Sequence, residues 1–261
     1  MTDFAASLVQ NLKDLNAKER DHLMRFAYLG AANKYEENKD LWLSEQMKAA
    51  LEPQLSKTHL DSSTRKCVFA GMDYHLDWLY AALVRTYCEG QESGPLDDGS
   101  ECKDDSLRPV IGIQEDLDLL VVYADDQDRI VILCIEAKGI APVDKLQLAR
   151  KLVRLDRILV ASGAKDRLQC RLVLIAPAGR APESDSSCLE FVQSPPGEVR
   201  RQEMRDSLKL LSTDIGCEKI KDVFVELKGF PTNLQRVVRT RLASPDASAK
   251  QPFTSWKITK R

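Results

Sequence analysis

Two acidic residues and a lysine stand where two apolar runs of the sequence begin and end. Asp118 lies at the start of the run 117–124, and Glu136 and Lys138 follow the run 130–135. Side chains two apart on a strand share a face, so Glu136 and Lys138 would emerge side by side. In an antiparallel hairpin, the start of one strand lies beside the end of the next. Asp118, Glu136 and Lys138 would then converge as a metal site with a lysine beside it.

Two carboxylates next to a lysine suit phosphodiester hydrolysis with a divalent cation. Mg²⁺ prefers oxygen ligands and is commonly held by one or two carboxylates while it keeps several waters. The bound ion can contact the scissile phosphate, lower the pKa of an attacking water and neutralise charge in the transition state. A lysine adds a positive charge that orients the water or stabilises the developing centre. Asp116 shares a face with Asp118 and is either a supporting acid or its competitor for the metal.

The elements that position these residues are predicted from the apolar patterns. The run 130–135 is apolar on both faces, which is typical of a central strand covered on both sides. The polar segment 125–128 predicts the turn of the hairpin. Before the hairpin, residues 72–88 have the apolar spacing of an amphipathic helix. Asp77 near its start is the best candidate for an extra acid pointing into the site.

A basic amphipathic helix is predicted directly after the hairpin, over residues 143–160, and a short strand follows at 171–176. Gln147 lies among the bases of this helix. The helix carries five candidate nucleic-acid contacts: Lys145, Arg150, Lys151, Arg154 and Arg157. Long cationic side chains often only solubilise a surface helix, but beside an acidic site they could equally contact phosphate, and both interpretations stay open.

The flanking regions complete a three-part organisation. Residues 1–65 are predicted to be a helical extension that could dock on the core, form a homodimer, or contact the substrate or a partner protein. Residues 66–230 form the predicted core domain, which includes a strand around 222–227. Residues 231–261 are predicted to be a basic C-terminal helix, over 232–242, and a tail.

The order helix, strand, strand, helix, strand resembles the PD-(D/E)xK, or restriction-endonuclease-like, nuclease superfamily over roughly residues 70–180. The resemblance implies an α/β fold with an αββαβ core and a mixed central sheet, and a site that uses Mg²⁺ or Mn²⁺. Asp118 and Glu136 match the metal-binding acids of the family, the Ala137 carbonyl a further metal ligand, and Lys138 the family's lysine. Two departures concern the neighbours of this motif. Leu117 stands where relatives often have proline, and Lys151 stands where relatives with a Gln-x-x-x-Tyr motif have tyrosine.

Two classes of function follow from these residues. The first is a Mg²⁺-dependent endonuclease acting on DNA in restriction, defence or repair, with RNA open as a substrate. The second is a non-catalytic nucleic-acid-binding or scaffold protein that retains the fold. The acid, acid and lysine together favour the enzyme, because a protein that only binds a polyanion gains nothing from clustered acids. A second Glu-x-Lys, Glu226 to Lys228, also ends an apolar run, but no acid-bearing hairpin precedes it.

The charge of the chain is distributed unevenly around a formal net charge of -2. Residues 89–128 hold thirteen acids against two bases, whereas residues 144–171 have an excess of five bases and residues 228–261 an excess of seven. This asymmetry is compatible with a polyanionic partner. Seven cysteines without a Cys-x-x-Cys pair, no secretory pattern and no long apolar run predict a cytoplasmic protein without a membrane segment.

Overall fold

The computed structural model describes residues 3–15, 43–88, 109, 116–137, 145–177, 224–227, 235–241 and 253–260. The helices of this part of the chain are α1 (Asp3–Leu15), α2 (Glu45–Leu55), α3 (Leu76–Tyr87) and α4 (Lys145–Ala161). The strands are β1 (Lys66–His75), β2 (Asp116–Ala124), β3 (Ile130–Ala137), β4 (Gln169–Pro177), β5 (Phe224–Leu227), β6 (Gln235–Arg241) and β7 (Phe253–Lys260). The fold is mixed α/β.

A five-stranded mixed sheet with the order β1-β2-β3-β4-β5 forms the centre of the fold. Strands β1, β2 and β3 pair antiparallel, whereas β3, β4 and β5 pair parallel. The parallel pair β3–β4 requires a crossover connection, which contains α4. Strand β3 is therefore a central strand that joins the antiparallel and parallel halves of the sheet. Its first seven residues are buried, and its last residue, Ala137, is exposed.

Helices cover both faces of the sheet, which explains why β3 is apolar on both sides. Apolar side chains of α1, α3 and α4 pack with alternate residues of β2, β3 and β4, among them Leu120, Ile132 and Leu172. The intervening residues of these strands form a second core with Leu51 and Leu55 of α2. The two described helices within residues 1–65 thus contribute to the same packed unit as the sheet. No helix among the described residues has the length and apolar composition to span a bilayer.

The predicted hairpin is confirmed, and its register is defined by the turn. Strands β2 and β3 pair antiparallel, with Leu119 opposite Ile135. The carboxylate of Asp125 accepts hydrogen bonds from the backbone N–H groups of Gln127 (3.1 Å) and Arg129 (3.0 Å). These contacts close the connection from one strand to the next, an Asx-type arrangement that aspartate favours in turns. The predicted helix after the hairpin is present as α4, and the strands predicted at 171–176 and around 222–227 are present as β4 and as β5, which is described from Phe224 to Leu227.

Two secondary-structure predictions are wrong. Residues 72–75 do not belong to the helix predicted over 72–88; they end β1, and α3 begins at Leu76. Pairing of β1 with β2 outweighs the local helical period, since Tyr74 and His75 lie opposite Leu117 and Asp116. The basic helix predicted over 232–242 is instead strand β6, which pairs antiparallel with β7. Its sequence QRVVRTR contains β-branched residues that favour a strand.

Candidate active site

Asp118 and Glu136 meet on one face of the sheet, as the hairpin predicts. Leu119 pairs with Ile135, so continuation of the register brings Asp118 opposite Glu136. Directly opposed residues of an antiparallel pair have Cβ atoms about 4.5–5.5 Å apart. Asp118 is two residues from Leu120, and Glu136 is two residues from Cys134, so each acid shares a face of the sheet with that neighbour. Leu120 and Cys134 belong to the core on the α4 side. The two carboxylates therefore lie together at the end of a central strand, beneath α4.

A hydrogen bond fixes Asp118 against the end of β3. The backbone N–H of Ala137 donates to Oδ2 of Asp118 at 2.6 Å. Glu136 is 6% exposed, whereas Ala137, the next residue, is exposed. Glu136 is thus buried one residue before β3 reaches the solvent.

The cation beside this acid pair comes from α4. The ammonium of Lys151 donates to Oε2 of Glu136 at 2.5 Å and to the backbone carbonyl of Asp116 at 2.7 Å. Lys151 is only 2% exposed. Its charge is therefore directed into the protein, toward two neighbouring strands, and not toward the surface, where a phosphate contact was one of the two interpretations of this helix.

Asp116 extends the polar cluster toward β1. Its Oδ1 lies 3.2 Å from Nε2 of His75, the residue opposite it on β1. The His75 ring also packs against the ring of Trp78, with 4.8 Å between the centroids. Asp116 therefore interacts with His75 through its side chain and with Lys151 through its carbonyl, an arrangement that suits a supporting role behind Asp118.

Asp77 and Arg154 form a separate buried ion pair that joins α3 to α4. The Arg154 guanidinium hydrogen bonds to Oδ1 of Asp77 and, at 3.1 Å, to the carbonyl of Pro109. Arg154 is 0% exposed. The Asp77 carboxylate thus contacts a guanidinium of the core, and Arg154, a candidate phosphate contact, lies in the interior.

The remaining predicted contacts of α4 differ in position. Arg157 is buried, and Arg150 is half-buried with an Nε that has no hydrogen-bond partner among the described residues. Gln147 is also half-buried and lies one turn before Lys151, on the same side of the helix. Lys145 is the first residue of α4, and its side chain lies outside the described part of the chain.

Both Glu-x-Lys lysines fall outside the described residues. Lys138 follows directly after β3, and Lys228 follows β5. Glu226 belongs to β5, where it pairs with Ala176 of β4. Strand β5 pairs with β4 in parallel, and among the described residues Glu226 has no equivalent of the Asp118 hairpin.

The chemistry of the donors fits a small hard cation. Asp116, Asp118 and Glu136 contribute three acidic side chains to the cluster, and Lys151 contributes one basic side chain. No group of three or more His, Cys, Asp or Glu side chains in the described segments is arranged to hold a metal ion. Mg²⁺ needs only one or two carboxylates, because water completes its coordination. Asp118 and Glu136 are the residues that would hold it, with the Ala137 carbonyl beside them.

The contributions of Lys151 and His75 to this cluster were not predicted from the sequence. A signal for Lys151 existed, because it follows Gln147 at a spacing of four on a helix. That spacing places both side chains on one face, but the sequence does not show that this face is turned toward the acids. His75 could be located only once β1 was known to end beside the start of β2.

Comparison of the chain with protein-family models, with curated proteins and with solved structures finds no match. Function has to be inferred from the residues of the chain itself.

Proposed function

We propose that the chain is a metal-dependent nuclease with a PD-(D/E)xK type of core, which hydrolyses phosphodiester bonds of DNA. The observation that carries this proposal is the meeting of Asp118 and Glu136 at the end of the central strand β3. The order α3, β2, β3, α4, β4 supports it, since these elements follow one another as helix, strand, strand, helix, strand. The coincidence of an acid pair, a central strand and this order is more specific than the Glu-x-Lys motif alone.

The proposed reaction is the displacement of an oxygen at phosphorus by water. The water oxygen forms a bond to phosphorus while the bond to the leaving oxygen breaks; the water loses a proton to solvent, and the leaving oxygen takes one up. Mg²⁺, when bound, supplies Lewis acidity and stabilises negative charge in the transition state. Asp118 and Glu136 bind and orient the cation, and Asp116 supports them from the adjacent position. Lys138 is the lysine of the Glu-x-Lys motif, and its proposed role is to orient the water or stabilise the developing charge.

The basic parts of the chain supply the attraction for the nucleic-acid backbone. Residues 228–261 hold eight bases against one acid, and β6 and β7 lie within this stretch. Because Lys151 and Arg154 of α4 are buried, we assign the contact with phosphate mainly to the C-terminal stretch 228–261. Each phosphate neutralised by a base makes binding more sensitive to salt, so affinity should fall steeply as salt rises.

One observation favours the second function, a nucleic-acid-binding or scaffold protein without catalysis. The Lys151 ammonium already lies 2.5 Å from Glu136, so a positive charge of the protein itself accompanies one of the two acids. In a non-catalytic protein this pair would replace a metal ion and hold α4 on the sheet. The two functions therefore differ in one property, which is whether the acid pair binds a divalent cation.

Cleavage of supercoiled plasmid with and without Mg²⁺ or Mn²⁺ tests the proposal. Wild type is compared with Glu136→Gln and with the matched control Glu226→Gln, which alters the other Glu-x-Lys. The nuclease predicts metal-dependent nicking that is lost in Glu136→Gln and kept in Glu226→Gln. A folded wild type that binds DNA without cutting it favours the scaffold function, and loss only in Glu226→Gln would move the site to β5.

A further inference from the structure

We propose that Lys151 is a positioning residue of the acid pair: its ammonium holds the Glu136 carboxylate in the place where it binds a divalent cation. The inference rests on the proposed function, because it concerns the same two acids. It adds a residue that does not belong to the Glu-x-Lys motif and that comes from a different element, helix α4.

The geometry restricts Lys151 to this role. Its ammonium donates to Glu136 on β3 and to the carbonyl of Asp116 on β2, so two strands determine its position. At 2% exposure the ammonium cannot reach out to a nucleic-acid backbone. The hydrogen bond to Glu136 is therefore the direct contact between Lys151 and the acid pair.

The cost of burying charge indicates that the Lys151–Glu136 pair does more than stabilise the fold. Removing an ammonium and a carboxylate from water costs several kcal/mol for each ion, and apolar residues of the same volume often give equal or greater stability. A strongly buried ion pair in an acid cluster is for this reason a candidate functional group. By contrast, Lys165, which follows α4, pairs with Asp156 of that helix, and there the Lys165 side chain is 29% exposed.

The charge of Lys151 has two opposing effects on a cation at the site. It offsets part of the repulsion between the adjacent carboxylates of Asp118 and Glu136, and it keeps Glu136 from turning away toward water. It also repels a divalent cation directly. The hydrogen bond to Glu136 favours the first effect, because loss of a group that orients a metal ligand typically costs about 10–100-fold in metal affinity or activity.

Calorimetric titration of the full-length protein with Mn²⁺ separates the two effects. Lys151→Met should weaken Mn²⁺ binding by about 10–100-fold relative to wild type. The control Lys165→Met removes a lysine that follows α4 and pairs with Asp156, and it should leave the affinity within about twofold, since neither residue belongs to the acid pair. If Lys151→Met does not fold, Lys151→Gln, which keeps an N–H donor, takes its place.

The outcomes distinguish this inference from the proposed function. Mn²⁺ binding by Lys151→Met that equals or exceeds that of wild type would overturn the positioning role while the metal site stands. A wild type that does not bind Mn²⁺ would overturn the metal site itself, and the role of Lys151 with it. Weaker binding in Lys151→Met together with unchanged binding in Lys165→Met supports both.

Discussion

Asp118 on β2 accepts a hydrogen bond of 2.6 Å from the backbone N–H of Ala137 on β3. The carboxylate proposed to bind a cation thus also holds the end of the strand that carries the second acid, Glu136. This link between the two strands ensures that Asp118 and Glu136 keep a fixed separation, which a metal site requires.

Substitutions of Asp118 should separate these two roles. Asp118→Asn keeps an oxygen that can accept from Ala137 but removes the negative charge, so we expect wild-type stability and loss of cleavage. Asp118→Ala removes the acceptor as well and should also lower the free energy of unfolding by about 1 kcal/mol. Urea unfolding and plasmid cleavage measure the two effects. Cleavage by Asp118→Asn at the wild-type rate would show that the charge is not needed.

The buried pair of Lys151 and Glu136 should show strong coupling in stability. Lys151→Met leaves a carboxylate that is 6% exposed without its ammonium, and we expect a loss of about 3–5 kcal/mol. Glu136→Gln in the same chain should recover a part of this loss, because no buried charge is then left uncompensated. A double-mutant cycle by urea unfolding gives the coupling energy. A value near zero would mean that the two side chains act independently.

Arg154 should contribute to stability through its pair with Asp77. Arg154→Met removes a guanidinium that is 0% exposed and leaves Asp77 without this partner, so we expect a loss of about 3–5 kcal/mol. The matched control is Lys48→Met, which removes the pair with the largely exposed Glu45 and should cost at most about 0.5 kcal/mol. Similar losses in both variants, measured by urea unfolding, would contradict the buried position of Arg154.

The hairpin turn should make stability dependent on pH through Asp125. Burial raises the pKa of Asp125, but hydrogen bonds from the N–H groups of Asp61 and Arg129 and the nearby guanidinium outweigh it and hold the pKa below its ordinary value of 3.8. A lowered pKa in the folded state means that the stabilisation is complete above pH 3.8 and is lost as the pH falls through the folded pKa.

Replacement of Asp125 by asparagine therefore has a defined signature. Asp125→Asn should lower the free energy of unfolding at pH 7 and should weaken its decline in acid, since the group no longer titrates. Thermal unfolding of both proteins across the acid range measures this. Parallel curves for wild type and Asp125→Asn would exclude Asp125 as a source of the acid sensitivity.

The hairpin and its acids could be predicted from sequence because they depend on local patterns. The apolar runs around 117–124 and 130–135, and the polar turn between them, determine both strands and the opposition of Asp118 and Glu136. The mixed α/β character followed from the same alternation of elements. These features need no knowledge of distant contacts.

The features that were missed depend on pairing and packing between distant parts of the chain. Residues 72–75 fit a helical period, but their pairing with the start of β2 makes them a strand. Lys151 fits a solvated basic helix, but the packing of α4 on the sheet directs its ammonium to Glu136. A lysine has a long aliphatic stem that can pack along apolar surface. The sequence of one chain therefore does not determine whether its ammonium points to solvent or to a group of the protein.

Anomalous diffraction from crystals of the full-length protein grown with Mn²⁺ tests the central claim most directly. We expect a metal peak in contact with carboxylate oxygens of both Asp118 and Glu136, at about the 2.0–2.1 Å typical of the smaller Mg²⁺ or slightly longer. Lys151 should still donate to Glu136 in the same crystal. Crystals with no peak at this acid pair, at Mn²⁺ concentrations that support binding elsewhere on the chain, would contradict the account.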